Sequence, residues 1–203
     1  VPDHSQPLLE SDAAPSPFDQ FARWYQEASG AVRVPEAMAV ASAAVDGHPS
    51  VRMVLMKGWD ERGFVFFTQY RSRKAHELDA NPQAAPLFHW DELGRQVRVE
   101  GPVERVSEHE SDAYFATRPF GAQIGALASE QSETIERRSV LDERVRRLSA
   151  EHAGGAVPRP ESWGGYRVVP AVFEFWQNRD DRLHDRLRYS PEGNGWKIER
   201  LQP

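Results

Sequence analysis

Ala37-Met38-Ala39-Val40-Ala41-Ser42-Ala43-Ala44-Val45, Asp46-Gly47-His48-Pro49 and Ser50-Val51-Arg52-Met53-Val54-Leu55-Met56-Lys57 follow one another in this chain. The outer runs have a period near two, and the tetrapeptide between them is a hairpin-type turn. Residues 37–57 are therefore predicted to be two antiparallel strands. In the second, alternation puts Arg52, Val54 and Met56 on one face and Met53, Leu55 and Lys57 on the other. Each face carries one cation among apolar neighbours. Lysine and arginine are rarely buried without a partner. Either the strand lines an anion site, or both cations snorkel to solvent at its ends.

Outward from this hairpin the same period continues. Phe64–Thr68, Ala84–Trp90 and Gln96–Val106 read as strands, the last bent at Gly101-Pro102. Further strands are expected near Tyr166–Val169, Val172–Gln177, Arg182–Tyr189 and Trp196–Arg200, with Pro191–Gly195 turning between the last two. Helices punctuate them. Ser16-Pro17 is an N-cap followed by proline at the first helical position, opening 17–29. Ser72 caps a short helix to Ala80. Ser107-Glu108-His109-Glu110 is a capping box for a helix to about Thr117. Gln123–Ala128 is helical, and Glu133–His152 is a long charged helix whose arginines alternate with acids, a solvated face. Residues 1–15, with Pro2, Pro7 and Pro15, read as a mobile arm, leaving 16–203 as one domain. Six or more mostly antiparallel strands with short helices between them point to a mainly β fold, a β-barrel with peripheral helices.

Composition narrows the function. The 203 residues carry a formal charge of -6, so a general nucleic-acid binder is disfavoured. No apolar run approaches the roughly 18–20 residues that span a bilayer, and residues 1–5 show no signal-peptide pattern. There is no cysteine, which removes disulfides, thiolate metal sites and a cysteine nucleophile and fits a cytoplasmic protein. Glycine-rich dinucleotide and phosphate loops are absent. His109-Glu110 is followed by Ser111-Asp112, not a zinc motif, and the seven histidines lack metal-ligand spacing.

Two further segments carry candidate chemistry. Ser72-Arg73-Lys74 joins a helix start to two cations, a combination suited to phosphate; ordinary capping is the alternative. Phe175-Trp176-Gln177 precedes Arg182-Leu183-His184-Asp185-Arg186. If the latter is extended, Arg182, His184 and Arg186 share one face and need an anion or an electron-rich ring against them. A solvated edge strand with Asp185 as counter-ion is the bland reading.

Taken in order, these pieces resemble the pyridoxine/pyridoxamine 5'-phosphate oxidase family. The matching segments are Arg52–Lys57, Ser72–Ala75, Arg95-Gln96-Val97, Tyr114-Phe115, Arg118-Pro119, Gln123–Ala126, Gln131-Ser132, Trp163–Arg167, Glu174–Gln177, Arg182–Arg186 and Trp196–Leu201. The resemblance implies an FMN-binding split β-barrel, a homodimer with FMN at the subunit interface. It implies FMN contacts from Arg52, Met53, Val54, Leu55, Met56, Lys57, Phe67, Thr68, Arg73, Lys74, Gln96, Gln131, Ser132, Trp176 and Arg186. A phosphorylated pyridine substrate would meet Lys57, Tyr114, Arg118, Arg182 and His184, with Arg182 and His184 positioning and polarising it. Oxygen would be the acceptor.

Two departures stand out. The family has a serine beside the substrate phosphate where this chain has Ala122, a missing bond worth roughly 1.5–3 kcal/mol if nothing replaces it. Family members often carry an arginine- and tyrosine-containing N-terminal lid, whereas residues 1–20 contain neither residue. That lid either lies upstream of residue 1 or is absent. Ala122, Phe120 and the lack of the lid segment in residues 1–20 lean towards a phenazine-biosynthesis flavin oxidase; Lys57, Tyr114 and Arg118 lean back towards a phosphorylated substrate. A non-catalytic flavin- or pyridoxal-phosphate-binding protein is the remaining alternative.

Overall fold

The computed structural model describes residues 7–203. The expected hairpin is present as β1 (Ala37–Ala43) and β2 (Pro49–Leu55), paired antiparallel with Val40 opposite Arg52 and Ser42 opposite Ser50. Further along lie β3 (Gly58–Asp60), β4 (Gly63–Gln69), β5 (Gln83–Trp90) and β6 (Arg95–Arg105). The last four strands are β7 (Trp163–Val168), β8 (Val172–Gln177), β9 (Asp185–Glu192) and β10 (Gly195–Arg200). Every ladder among them is antiparallel. The main path runs β10-β9-β8-β6-β5-β1-β2, while β3, β4 and β7 form a branch joined through β6.

The branch point is the expected bend. Before Gly101-Pro102, β6 pairs with β8; after it, β6 pairs with β7. Only glycine fits there, because a Cβ at 101 would lie 1.9 Å from the Val169 carbonyl oxygen. A strand that changes partners at a bend curls the sheet. Among the described residues the result is a mainly β split barrel with five α-helices around it.

Helix α1 (Pro17–Ala31) starts with Ser16 Oγ accepting from Phe18 N at 3.2 Å and Pro17 in the first turn. It lays Phe21 and Trp24 into the barrel core. Phe21 is fully buried, with the rings of Phe64, Trp59 and Phe88 at 4.8, 5.0 and 5.1 Å. Truncating such a residue to alanine costs about 3–5 kcal/mol. A second, smaller core of Phe115, Ile124, Ala126, Val157 and Trp163 sits under α3 (Glu108–Thr117) and α4 (Phe120–Ala128).

Three expectations change. The long helix begins at Arg138, as α5 (Arg138–Glu151), not at Glu133. The stretch before it is held elsewhere: Gln131 Oε1 accepts from Lys74 Nζ at 3.0 Å, and Ser132 adopts φ +79°. Strand β9 begins at Asp185, not Arg182, because Gln177 pairs with Asp185 and the chain must reverse within 178–184. Arg182 and His184 therefore lie in a turn and do not share a strand face with Arg186. Finally, residues 8–14 are pinned where a loose arm was expected. Leu8 and Ala14 are buried, Leu8 N donates to Asp185 Oδ2 at 3.1 Å, and Arg200 holds both Glu10 and the Leu8 carbonyl. Residues 1–6 of that arm lie outside the described residues.

Candidate active site

A cleft of about 770 Å³ opens between β2, β4, α2 (Arg73–Ala80), α3 and α4. Its wall includes Arg52, Met53, Val54, Leu55 and Lys57 from the hairpin, with Phe67 and Thr68 from β4. Arg73 and Lys74 come from α2, Tyr114, Arg118 and Ala122 from the α3–α4 region, and Gln131 and Ser132 from the loop beyond. Thus thirteen of the sequence candidates, far apart in the chain, share one cavity. Met56 does not: it is 5% exposed and packs in the barrel core.

One end of the cleft is a cationic network. Lys74 Nζ donates to Thr68 Oγ1 at 2.9 Å and to Gln131 Oε1 at 3.0 Å. Burial, reinforced by the Arg52 charge, lowers the Lys74 ammonium to about 8. Arg52 reaches Ser42 Oγ at 2.6 Å and Ser50 Oγ at 2.5 Å. Arg73 opens α2, and its backbone N–H donates to Ser132 Oγ at 3.2 Å. Ser72 stands at the N-cap position as expected, but its hydroxyl donates to the Gln69 carbonyl at 2.7 Å and makes no cap bond. The helix start is thus served by Ser132, whose positive φ is a strained conformation for a residue other than glycine.

The other group of cleft residues is aromatic and carries one half-buried charge. Phe67 stacks on Tyr114 at 4.2 Å and on Trp163 at 5.3 Å. Gly165 permits this, since a Cβ there would lie 2.8 Å from the Phe67 ring. Arg118 precedes Pro119, which disfavours helical geometry, so α3 ends at Thr117 and Arg118 is extended. Its guanidinium lies 4.7 Å over Trp163, and its Nη1 is buried without a partner. Burial lowers the Arg118 pKa and raises that of Tyr114. A buried guanidinium N–H without an acceptor is costly, so this atom is poised for an anion. Lys57, exposed at the end of the hairpin, completes the set.

The remaining candidates form a separate cluster. Gln96 on β6 is opposite Trp176 on β8, which is opposite Arg186 on β9. Arg186 Nε donates to Glu174 Oε1 at 2.8 Å. His184 packs on Trp176 with ring centroids 4.6 Å apart, and its Nδ1 accepts from Arg179 N at 3.2 Å. That bond leaves Nε2 as the N–H of the neutral ring. Arg182 is exposed at φ +62°, directly after Asp181 at φ +55°. This cluster does not line the cleft of its own chain. Among the described residues no group of histidines and carboxylates is placed to hold a metal, and no helix is long and apolar enough to cross a membrane.

Sequence reasoning passed over Glu77, the carboxylate under the cations, and Trp163 as the platform for Arg118. The only sequence signal for Glu77 is its i,i+4 spacing from Arg73 on one helix.

Residues 25–151 match the family model described as pyridoxamine 5'-phosphate oxidase. Residues 163–203 match the pyridoxine 5'-phosphate oxidase C-terminal dimerisation region. The pyridoxine/pyridoxamine 5'-phosphate oxidase of Rubrobacter xylanophilus is 57% identical over 197 residues, covering 97% of this chain and 91% of that protein. The protein of the same name from Bordetella petrii is 57% identical over 198 residues, covering 97% and 93%. Among solved structures, PhzG from Burkholderia lata 383, in complex with tetrahydrophenazine-1-carboxylic acid, superposes with a TM-score of 0.89 at 35% identity. That match covers 100% of this chain and 97% of PhzG. A pyridoxamine 5'-phosphate oxidase-related, FMN-binding protein from Nostoc punctiforme gives a TM-score of 0.74 at 14% identity, covering 94% and 100%, and shares the fold.

Proposed function

Since the chain belongs to the pyridoxamine 5'-phosphate oxidase family, we propose that it oxidises pyridoxamine or pyridoxine 5'-phosphate to pyridoxal 5'-phosphate. FMN would be the cofactor and oxygen the acceptor, giving hydrogen peroxide. The observation that carries this reading is the pairing, in one cleft, of two distinct cationic groups: Arg52, Arg73 and Lys74 at one, Arg118 and Lys57 at the other. A phosphorylated cofactor and a phosphorylated substrate need two such groups.

The residues fit FMN. Arg52, Arg73 and Lys74 would bind its phosphate, with the Ser132 loop and the α2 N-terminus beside them. Bound FMN would supply the hydride acceptor. The chain's own task is to hold the substrate. Arg118, with its free Nη1, Tyr114 and Lys57 would fix the substrate phosphate. The Phe67–Tyr114–Trp163 stack holds the Arg118 guanidinium in place and keeps water from its face.

Gln96, Trp176, Arg186, Arg182 and His184 would then serve the cleft of a second copy. Val51, Met53 and Leu55 form an apolar row on edge strand β2, 68%, 65% and 41% exposed. Such a row on a sheet edge calls for a cover, and the C-terminal match is to a dimerisation region. In the homodimer, His184 Nε2–H and Arg182 would position and polarise the substrate.

The test is an aerobic assay following peroxide and product absorbance with pyridoxine 5'-phosphate and with a dihydrophenazine acid. Turnover of the first alone supports the proposal. Preference for the second would support the phenazine reading, favoured by the likeness to PhzG and by Ala122 on the cleft wall. A yellow protein that turns over neither would be a binding protein.

Two expected results follow from this site. Ala122→Ser should lower KM for the phosphorylated substrate modestly, by a bond worth about 0.5–1.5 kcal/mol; unchanged or raised KM in steady-state kinetics would place the phosphate elsewhere. FMN affinity should also depend on pH through Lys74. Its lysine pKa is depressed to about 8 before ligand binds, and only the ammonium attracts phosphate. Between pH 7 and 9 the charged fraction falls about tenfold, so FMN affinity should fall by up to that factor. The unliganded fold responds with the opposite sign. The unfolded chain holds the lysine proton to higher pH, so stability rises as pH passes 8 towards the ordinary lysine value. Fluorescence titration at several pH values checks the first effect, and a Lys74→Met variant should flatten it.

A further inference from the structure

Under the cationic end of the cleft lies a carboxylate, Glu77, whose side chain is 6% exposed. An anion beside a phosphate site repels the ligand, so its presence needs a reason. Its two oxygens are divided between the two arginines. Oε1 accepts from Arg73 Nε at 2.8 Å, and Oε2 accepts from Arg52 Nη2 at 3.0 Å. Oε2 also accepts from Ser42 Oγ at 2.6 Å and from Ser50 Oγ. Burial alone would push the Glu77 carboxyl up, but these four donors outweigh it and hold it at about 2. It is therefore ionised at every working pH.

The connections cross three elements. Glu77 and Arg73 stand on α2, Ser42 on β1, and Ser50 and Arg52 on β2, with Ser42 and Ser50 directly opposite in the hairpin. The carboxylate thus ties the helix that begins the phosphate site to the strand that walls it. It also leaves Arg52, Arg73 and Lys74 with two net positive charges, matching a phosphate dianion.

We propose that Glu77 is a positioning residue for the phosphate group of FMN, acting by orienting Arg52 and Arg73 towards it. The proposal rests on the flavin reading above and adds a residue that does not itself touch the ligand. A role as simple charge neutraliser makes the opposite forecast, since removing a negative charge would then tighten binding of the dianion.

The experiment titrates the flavin-free 203-residue chain with FMN and with riboflavin, which lacks the phosphate, following flavin fluorescence. Glu77→Gln keeps the shape but turns an amide N–H₂ towards arginine donors. Glu77→Asp keeps the charge but withdraws it by one methylene. Both should weaken FMN about tenfold, a charge-assisted bond lost, and shift riboflavin by no more than about twofold, so the FMN-to-riboflavin affinity ratio falls. Equal losses for both flavins would mark Glu77 as merely structural and overturn the proposal. Native or tighter FMN binding by either variant would do the same. If the native chain binds FMN and the variants match it, this proposal alone fails. If the native chain does not bind FMN, the flavin reading fails and takes the proposal with it.

Discussion

Arg118→Ala should raise KM for pyridoxine 5'-phosphate more than a hundredfold while FMN stays bound. The guanidinium is held 4.7 Å over Trp163 at the junction of α3 and α4, with Nη1 buried and without a partner. Part of its desolvation is already met in the folded chain, so a phosphate arriving there gains a charge-assisted contact while stripping less water from the arginine. A bidentate contact of this kind is worth ~3 kcal/mol. Removing a contact made equally to substrate and transition state acts mainly on KM. The Arg52–Arg73–Lys74 network does not involve Arg118, so cofactor binding should hold. Dephosphorylated pyridoxine should be a poor substrate for the native protein and nearly indifferent to the change. If Arg118→Ala weakens both substrates equally, or spares the phosphorylated one, the phosphate pocket is misplaced and the phenazine reading moves ahead.

Arg73→Ala combined with Lys74→Ala should weaken FMN binding by at least a hundredfold. Each lost charge-assisted bond costs on the order of 1.5–3 kcal/mol. The two residues fail differently. Arg73 is 65% exposed at its side chain and tethered by Glu77, so solvent screens it and the single variant should have the smaller effect. Lys74 is 7% exposed and donates to Thr68 and Gln131. Its buried charge burdens the unliganded fold, so the double variant should lose far more flavin affinity than thermal stability. An FMN titration that gives the native dissociation constant for the double variant would sink the flavin assignment.

How much of this was legible in the sequence follows from how local each feature is. The hairpin at 37–57, the Ser16 and Ser107 caps and the bend at Gly101-Pro102 depend on a few adjacent residues, and the structure has them. Features set by distant partners were misread. Glu133–Arg137 has helical composition, yet Gln131 and Ser132 are drawn to Lys74 and Arg73, and α5 waits until Arg138. Arg182-Leu183-His184 alternates like a strand, but the pairing of Gln177 with Asp185 forces those residues into the reversal. The site shows the same division. Residue types that suit phosphate could be named from the chain, whereas Glu77 acquires its role only where α2 meets the hairpin. The separation of the candidates into a cleft and a second cluster on β6, β8 and β9 is a matter of three-dimensional placement that spacing does not encode.

The knot at Asp185 has a consequence for motion. Its two carboxylate oxygens take Leu8 N and Arg200 Nη1, so the start of the described chain and its final strand meet at the residue after His184. Segments near the termini ordinarily loosen first and independently. Here the segment from Leu8 and the last strand share Asp185, so loosening either removes a bond that holds the turn carrying His184 and Arg182. The opening free energy of that turn is therefore linked to both segments, and all three should exchange their amide hydrogens as one cooperative unit.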